Sequence, residues 1–351
     1  QVSGTPILEK TLEMPRSSPT GTQATAREFG VGDMLGNYKL VERLGAGAFG
    51  VVFRARHRVL DIDMAVKLLP PGLAERDKVY VDMFLREARM VARIRHPNVV
   101  GVYEAGNHEG QYYLAMEYAS GGTVEDRMRD AGGRLPPEQV MRILLECARG
   151  LAAAAELSVI HRDIKPANLM FAADQTVKIA DLGMAKRLKA SGQPGATTED
   201  IEVSQNGTAI RGTPAYMAPE VARDPDSADT RADLYSLGAS AYHMLTGQPP
   251  FLGKTEVDVL LKHANETPLP PEKLFKVPDL AEIAPVSREQ AKVLMPHPHH
   301  NVSPKLSRIV MRLLAKKPDD RYAAASDLVK DLESRNSDDL ERERDALLAG
   351  L

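Results

Sequence analysis

The sequence changes character at one point, the serine and two glycines of SGG at residues 120–122. Upstream of it, short stretches such as YKLVERL, VVFRARH, MAVKLL and QYYLAMEY have the composition and alternation of β-strands. Only DKVYVDMFLREARMVARI has the apolar period of a helix there, whereas downstream of SGG helical patterns dominate. Because serine and glycine favour breaks in regular structure, this pattern predicts a small β-rich lobe followed by a larger α-helical lobe.

The composition is that of an ordinary globular chain, with 351 residues, 43% hydrophobic and 26% charged. Its net charge of −3 argues against nucleic acid as a partner. The single cysteine, Cys147, excludes an intrachain disulfide and a CxxC metal site, and its helical context favours a buried thiol. No stretch approaches the ~18 apolar residues of a membrane span, so we expect no membrane segment in this chain.

The composition also divides the chain into segments. Residues 1–36 are rich in Ser, Thr, Pro and Gly and predict a flexible leader. We assign 37–119 to the β-rich lobe with the hinge that follows it, and 120–335 to the helical lobe. Residues 271–301, rich in Pro and His, predict an irregular insertion, and 336–351 form a charged C-terminal tail.

The stretch LGAGAFGVV places Gly45, Gly47 and Gly50 between two predicted strands. In a dinucleotide-binding unit such glycines would open a helix, but the strand-like VVFRARH follows here. The pattern therefore predicts a hairpin, whose backbone N–H groups can approach a polyphosphate closely because glycine has no Cβ. A hairpin turn without a ligand fits this stretch equally well.

Charged residues also interrupt segments that are otherwise apolar. Lys67 lies in the predicted strand MAVKLL and needs a partner, for which Glu87 on the next helix is the candidate. Such a pair is either a simple salt bridge or a cation fixed to hold phosphate. Asp181 ends the strand-like VKIADLG beside Gly183, where a carboxylate can hold Mg²⁺, a cation that prefers oxygen ligands.

Charged and polar residues also lie close together in the stretch HRDIKPAN, which stands between the apolar runs SVI and LMF. A loop held between two buried strands can direct Asp163, Lys165 and Asn168 at a common point. A turn aspartate or a capping asparagine would explain each residue singly, but not the whole set in this order.

Taken together, these motifs resemble those of the eukaryotic-like (Hanks-type) Ser/Thr protein kinases, most of all the bacterial ones. The resemblance runs from about Tyr38 to Leu332 and rests on GAGAFGVV, AVK, the helix glutamate, HRDIKPAN, DLG, GTPAYMAPE, DLYSLG and KKPDDR. It implies an α+β, bilobal protein kinase fold. It also implies a protein-serine/threonine kinase, an ATP-dependent phosphotransferase that moves the γ-phosphoryl group to Ser/Thr hydroxyls of proteins.

The resemblance further implies roles for the charged residues. Asp163 would accept the proton of the substrate hydroxyl, and Lys165 would neutralise the transferred phosphoryl group. Lys67, held by Glu87, would contact the α- and β-phosphates of ATP. The implied ligands of Mg²⁺, for which Mn²⁺ is an expected substitute, are Asn168 and Asp181.

The nucleotide is expected between the glycine loop and the hinge. Met116 would lie behind the adenine, and the backbone of Glu117 and Ala119 would pair with its edge. The implied nucleotide-binding residues are Gly45, Ala46, Gly47, Ala48, Phe49, Gly50, Val52, Ala65, Lys67, Met116, Glu117, Ala119 and Met170.

Other matches imply structural support for this site. Asp233 would brace the loop that contains HRD, and Thr213 would contact the same loop. Glu220 and Arg321 would form a buried salt bridge.

Regulation is implied in the activation segment, residues 181–220. Arg162 directly precedes the catalytic aspartate. Kinases with an arginine at this position commonly need a phosphate on the activation segment, because the guanidinium can bind that phosphate bidentately. Thr208 is the first candidate for the phosphorylated residue and Ser204 the second. We therefore expect autophosphorylation, with the chain itself as one partner and other protein substrates as the rest.

Some features depart from the family pattern. DLG replaces the commoner DFG. The histidines of PHPHH in the insertion favour simple solvation, with metal binding as the alternative. A pseudokinase scaffold and a small-molecule phosphotransferase of the same fold remain alternatives, against which the intact polar motifs and GTPAYMAPE argue respectively. We expect a cytoplasmic protein. Because the chain opens on Gln1 rather than Met, the cytoplasmic part of a longer, membrane-anchored protein stays open as an alternative.

Overall fold

The fold was analysed in a computed structural model. It describes residues 28–47, 50–70, 78–182, 201–202, 209–210, 213–224, 228–274 and 302–334.

In the part that the structure describes, the first lobe consists of a six-stranded antiparallel sheet and one helix, in agreement with the predicted β-rich lobe. Neighbouring strands follow the order β1-β2-β3-β4-β6-β5. The strands are β1 (Met34–Leu35), β2 (Tyr38–Gly47), β3 (Gly50–His57), β4 (Asp63–Leu68), β5 (Val102–His108) and β6 (Gln111–Glu117). Helix α1 (Lys78–Val91) buries Val81, Phe84 and Ala88 together with sheet residues, because the spacing of these residues places them on one face.

The glycine stretch forms the end of the β2–β3 hairpin, where Gly47 lies opposite Gly50. Gly50 has a φ of 114°, and an added Cβ would lie 1.8 Å from the carbonyl oxygen of Leu68. Only glycine fits this backbone and this contact with β4. The predicted hairpin is therefore confirmed, with Ala48 and Phe49 lying outside the described residues.

The second lobe is mainly helical. Its helices are α2 (Val124–Asp130), α3 (Pro137–Glu156), α4 (Pro219–Arg223), α5 (Thr230–Thr246), α6 (Glu256–Asn265), α7 (Pro271–Leu274), α8 (Pro304–Leu313) and α9 (Ala325–Glu333). Two short antiparallel pairs accompany them: β7 (Leu169–Phe171) with β8 (Val177–Ile179), and β9 (Ile201–Glu202) with β10 (Ala209–Ile210).

Helix α5 is the centre of this lobe, and nearly all of its residues are buried. Asp229 caps its start by accepting a hydrogen bond from Arg231 N, and Gly247 ends it in the left-handed conformation. Within α5, Gly238 allows close approach of α8, since an added Cβ would lie 2.5 Å from Leu313 Cβ. The glycine of DLYSLG is therefore a packing requirement.

The boundary at SGG is a helix start. Thr123 accepts a hydrogen bond from Asp126 N, and the Asp126 side chain accepts one from Thr123 N, which forms a capping box for α2. This local signal explains why regular helix begins directly after the glycines.

Ordered structure begins earlier than Asn37, inside the segment expected to be a leader. Phe29 and Leu35 are buried in the core of the sheet, with Leu35 fully inaccessible. The stretch FGVGDMLG has no strand or helix period, so its burial depends on tertiary contacts that a local pattern does not reveal.

None of the described helices is long and apolar enough to cross a membrane. Cys147 is fully buried on α3, as expected.

Candidate active site

The loop HRDIKPAN brings the predicted catalytic residues together. It lies between α3 and β7 and ends in a short 3₁₀ turn, Pro166–Asn168. Lys165 Nζ lies 2.9 Å from Asp163 Oδ2, and Asn168 Nδ2 donates to the same oxygen at 2.9 Å. Asn168 Nδ2 also donates to the Asp163 carbonyl oxygen at 2.8 Å. The Asp163 carboxylate therefore has a fixed orientation beside a cation.

The segment GTPAYMAPE approaches this loop through Thr213. Lys165 Nζ donates to Thr213 Oγ1 at 2.8 Å, and Thr213 Oγ1 donates to Asp163 Oδ1 at 3.3 Å. The predicted contact between Thr213 and the catalytic loop is confirmed. Both oxygens of Asp163 are thus held by neighbouring side chains.

Asp233, at the start of α5, holds the backbone of the loop from inside the lobe. Its two carboxylate oxygens accept hydrogen bonds from His161 N and Arg162 N, each at 2.7 Å. Complete burial raises the pKa of Asp233, although these donors oppose the rise. Arg162 has a φ of 70°, an uncommon conformation that the two bonds help to maintain. The predicted bracing role is confirmed.

His161 connects the loop to the residue between β8 and Asp181. Its Nδ1 accepts a hydrogen bond from Asp163 N at 3.2 Å, and its Nε2 lies 2.7 Å from the carbonyl oxygen of Ala180. Because a carbonyl can only accept, the hydrogen of the neutral ring must be on Nε2. Ala180 N in turn donates to Asn168 O at 2.9 Å. These bonds hold the backbone of Asn168 next to that of Ala180, the residue before Asp181.

Lys67 is one of the residues that connect the two lobes. It is 4% exposed on β4, and its Nζ lies 2.9 Å from Asp181 Oδ1. Burial raises the pKa of Asp181, but the charge and hydrogen bond of Lys67, together with the nearby His161 and Lys165, lower it below its ordinary value. Asp181 is therefore a carboxylate at neutral pH. Glu87 lies within α1, but its side chain is outside the described part of the structure, so its pairing with Lys67 stays a prediction.

Four apolar residues that are expected around the nucleotide lie on strands of the two lobes. Ala65 and Met116 are buried and lie opposite each other on β4 and β6, while Val52 lies opposite Lys67 on β3. Met170 is on β7, in the helical lobe. Behind Met116, a small apolar cavity extends towards Val91 and Leu182.

A contact that the sequence did not indicate fixes the hinge. Lys178 on β8 forms an ion pair with Glu117, with 2.9 Å between Nζ and Oε1, and donates to Pro97 O at 2.8 Å. The other carboxylate oxygen of Glu117 accepts a hydrogen bond from Gly101 N at 3.2 Å. The only local signal for Lys178 was its alternation with Val177 and Ile179, which predicts no partner.

The predicted salt bridge between Glu220 and Arg321 is confirmed. It is bidentate, with 2.6 Å from Nη1 to Oε1 and 2.8 Å from Nη2 to Oε2, and the Arg321 side chain is inaccessible. This pair ties the end of GTPAYMAPE to the segment before α9.

Several expected residues lie outside the described part of the chain. They include Thr208, Ser204, Gly183 and the histidines of PHPHH. Among the residues that the structure does describe, no group of three or more His, Cys, Asp or Glu side chains could hold a metal ion.

Asn168 and Asp181 nevertheless form a donor set that fits Mg²⁺. Because Asn168 Nδ2 donates twice to Asp163, its Oδ1 is the atom left to bind a cation. Asp181 supplies a charged carboxylate. Both are hard oxygen ligands, and Mg²⁺ bound through few protein ligands completes its shell with water and phosphate.

Comparison with known proteins agrees with this geometry. The family model described as "Protein kinase domain" matches residues 38–331. Over 299 residues the chain is 36% identical to the serine/threonine-protein kinase PknB of Mycobacterium leprae, covering 84% of this chain and 42% of that protein. A probable serine/threonine-protein kinase of Clostridium perfringens is 31% identical over 309 residues, covering 88% of this chain and 40% of the relative.

The fold has solved relatives as well. The kinase domain of Mycobacterium tuberculosis PknI has 27% sequence identity and a TM-score of 0.58, covering 87% of this chain and 98% of that domain. The chain belongs to the protein kinase family. Within it, the chain is of the eukaryotic-like (Hanks-type) serine/threonine type, and the predicted bilobal α+β fold is confirmed. It spans less than half the length of the curated relatives named here.

Proposed function

We propose that this chain is an active kinase that transfers the γ-phosphoryl group of ATP to serine and threonine hydroxyls of protein substrates. The observation that carries the proposal is the set of contacts around Asp163, which joins Lys165, Asn168 and Thr213 within hydrogen-bonding distance. Phosphoryl transfer needs positioning and positive charge more than a strong base, and this cluster supplies both.

Each polar residue then has a role that follows from its position. Asp163 orients the substrate hydroxyl and accepts its proton, while Lys165 contributes positive charge beside the transferred group. Lys67, fixed on the sheet at the opposite side of the cleft, binds the α- and β-phosphates. Asn168 and Asp181 hold Mg²⁺, which when bound neutralises charge on the phosphate oxygens.

The adenine would bind against Ala65, Met116 and Met170, with the hinge backbone at Glu117 and Ala119 as its hydrogen-bonding partner. Glu117 N already donates to Gly101 O at 2.8 Å, so its carbonyl oxygen is the group proposed to face the base. We assign the glycine loop, Gly45 to Gly50, to the phosphates. The domain is proposed to act in the cytoplasm, where ATP is available.

Activation is proposed to require phosphorylation of the activation segment by the kinase itself. Arg162 precedes Asp163, and Asp233 binds the backbone N–H of Arg162, so an anion at this arginine would act directly on the catalytic loop. Thr208 is the proposed site, with Ser204 second.

Incubation with Mg-ATP and a mixture of Ser/Thr peptides, followed by mass-spectrometric mapping, tests the transfer. Phosphate on peptides supports the proposal, with Asp163→Asn as the matched inactive control. Nucleotide binding without turnover would instead favour a pseudokinase scaffold. Turnover of small hydroxylated compounds, with proteins left unmodified, would favour a small-molecule phosphotransferase.

The proposed activation by phosphorylation, here called the switch, has its own test. Phosphatase treatment should lower the activity of the parent towards an added peptide, and Thr208→Ala should have the same effect with unchanged ATP affinity. Arg162→Ala should make activity insensitive to phosphatase. If phosphatase leaves the parent unchanged, the chain has no such switch.

A further inference from the structure

Two histidines that belong to no sequence motif contact consecutive residues of the segment from Thr213 to Ala218, here called the docking segment. His263 on α6 is fully buried, and its Nε2 lies 3.1 Å from the carbonyl oxygen of Ala215. His243 on α5 has its Nδ1 2.7 Å from the hydroxyl of Tyr216. The segment is therefore held from two helices at adjacent positions.

The hydrogen-bond directions around His263 are determined by its partners. Because the carbonyl of Ala215 can only accept, Nε2 carries the hydrogen and donates it. Nδ1 is then an acceptor, and the hydroxyl of Tyr235, 2.8 Å away, is its donor. Both ring nitrogens of His263 are satisfied, and the ring is a bridge from α5 to the docking segment.

The surroundings keep both rings neutral. Burial lowers the pKa of His263 to about 4, and the nearby ammonium of Lys316 contributes to the same shift. Burial alone lowers the pKa of His243 to about 4. The bonds to Ala215 and Tyr216 therefore persist through the physiological range of pH.

Aromatic packing fixes the orientation of both rings. Phe251 contacts His263 edge-on at 4.9 Å between ring centroids, and Tyr235 does so at 5.6 Å. His243 stacks with Tyr216 at 6.0 Å and an angle of 29°. A hydrogen bond from a ring held in this way specifies the position of its partner.

Ala215 and Tyr216, which the two histidines contact, lie in the same short turn as a residue of the catalytic site. Tyr216 N donates to Thr213 O at 3.0 Å, so Thr213, Ala215 and Tyr216 belong to the same short 3₁₀ turn. Thr213 is the residue that contacts Asp163 and Lys165. A displacement at Ala215 or Tyr216 would change the surface presented to a peptide whose hydroxyl must reach Asp163.

We propose that His243 and His263 are positioning residues for the protein substrate: through Ala215 and Tyr216 they set the docking segment in the place where a peptide binds beside Asp163. This inference rests on the proposed kinase function. It predicts different effects on the two substrates, because no described contact joins either histidine to the residues assigned to ATP.

The test measures KM for a peptide and KM for ATP separately. His263→Leu removes both hydrogen bonds and should raise the peptide KM about 3- to 10-fold, the range expected for losing a buried hydrogen bond. His263→Gln keeps an amide N–H that can donate to Ala215 and should restore most of this loss. The ATP KM should stay within about 2-fold of the parent in both variants.

Two single-atom deletions keep the proposal testable if His263→Leu does not fold. Tyr216→Phe and Tyr235→Phe each remove only a hydroxyl, from the bond to His243 or to His263. Both should raise the peptide KM more than the ATP KM. Tyr322→Phe is the matched control, since Tyr322 is equally buried but bonds to Asp331 on α9, and it should change neither KM.

The outcomes separate this inference from the proposed function. If the parent phosphorylates no peptide, the kinase proposal fails and this inference fails with it. If the parent is active and the peptide KM of His263→Leu or of both tyrosine variants equals that of the parent, the positioning role alone is refuted. Equal increases in both KM values would indicate a general loss of structure and would also refute it.

Discussion

In the helical lobe, the catalytic loop is held by buried polar contacts from several directions, whereas in the β-rich lobe the described contacts of the functional lysine are those of its strand and an ion pair with Asp181. Asp233, Thr213 and His161 fix the loop through hydrogen bonds of 2.7 to 3.3 Å. Lys67 is placed by the β3–β4–β6 register and reaches Asp181 by one ion pair across the cleft. The comparison indicates a preformed catalytic half, held by side chains around the loop, and a nucleotide half, placed by strand register and joined to the helical lobe through Lys67, Lys178 and the backbone of 98–100.

The largest effect should come from the preformed half. Asp163→Asn keeps the shape of the side chain but removes its ability to accept the substrate proton, so turnover should fall by about 10²- to 10⁴-fold. Nucleotide affinity should remain nearly unchanged, because Asp163 is not among the residues proposed to bind ATP. Steady-state kinetics with a binding titration will measure both quantities. Near-parental turnover would refute the role of Asp163.

A second large effect concerns stability of the helical lobe. Glu220→Gln leaves the inaccessible guanidinium of Arg321 without its counter-charge, and we expect a loss of about 3–5 kcal/mol in the free energy of unfolding. Denaturant unfolding will measure it. The matched control is Glu333→Gln, which breaks the half-exposed pair with Arg149 and should cost less than about 1 kcal/mol. Equal costs for the two variants would contradict the importance assigned to burial.

The sequence predicted the preformed half better than the contacts between the lobes. Asp163, Asn168, Thr213 and Asp233 belong to motifs in which several residues act together, so each supports the assignment of the others. Lys178 meets Glu117 across 61 positions of sequence, and a single lysine on a strand has no local signal for its partner.

Local sequence patterns also failed to predict the contacts of the docking segment and the burial of the first residues of the fold. His243 and His263 lie on helices whose apolar period predicts packing but does not say which backbone carbonyl or hydroxyl they meet. Phe29 and Leu35 lie in a stretch without period, and the sheet core alone determines their burial. Tertiary contacts between segments that are far apart in sequence decide all of these cases.

A third prediction examines the nucleotide half. Lys67→Met should weaken phosphate positioning, and Glu87→Gln should reduce catalysis by displacing Lys67. If the two side chains are paired, the double variant should be little worse than the worse single one, with a coupling energy of about 0.5–3 kcal/mol from kcat/KM. Strict additivity in this double-mutant cycle would argue against the pair.

The smallest expected effect is at the hinge. Lys178→Met keeps the length of the side chain but removes the ammonium that connects Glu117 to Pro97 O, and the two side chains are 11% and 27% exposed. An ion pair of this exposure contributes about 0.5–1 kcal/mol, so the KM for ATP should rise about 2- to 5-fold.

The KM for ATP is expected to change alone because the Lys178 side chain contacts the hinge, whereas other bonds hold the strand on which it lies. The backbone of β8 is already bonded to the 98–100 segment, through Ile179 N to Asn98 O at 3.0 Å and Val100 N to Ile179 O at 2.9 Å. Loss of Lys178 should therefore leave the catalytic loop in place and release only the hinge, and kcat should change by less than about 2-fold. Lys330→Met, which breaks an exposed pair with Asp327 on α9, is the control and should alter neither constant. A fall in kcat with an unchanged KM for ATP would place the effect of Lys178 in the catalytic half, and the distinction between the two halves would then be wrong.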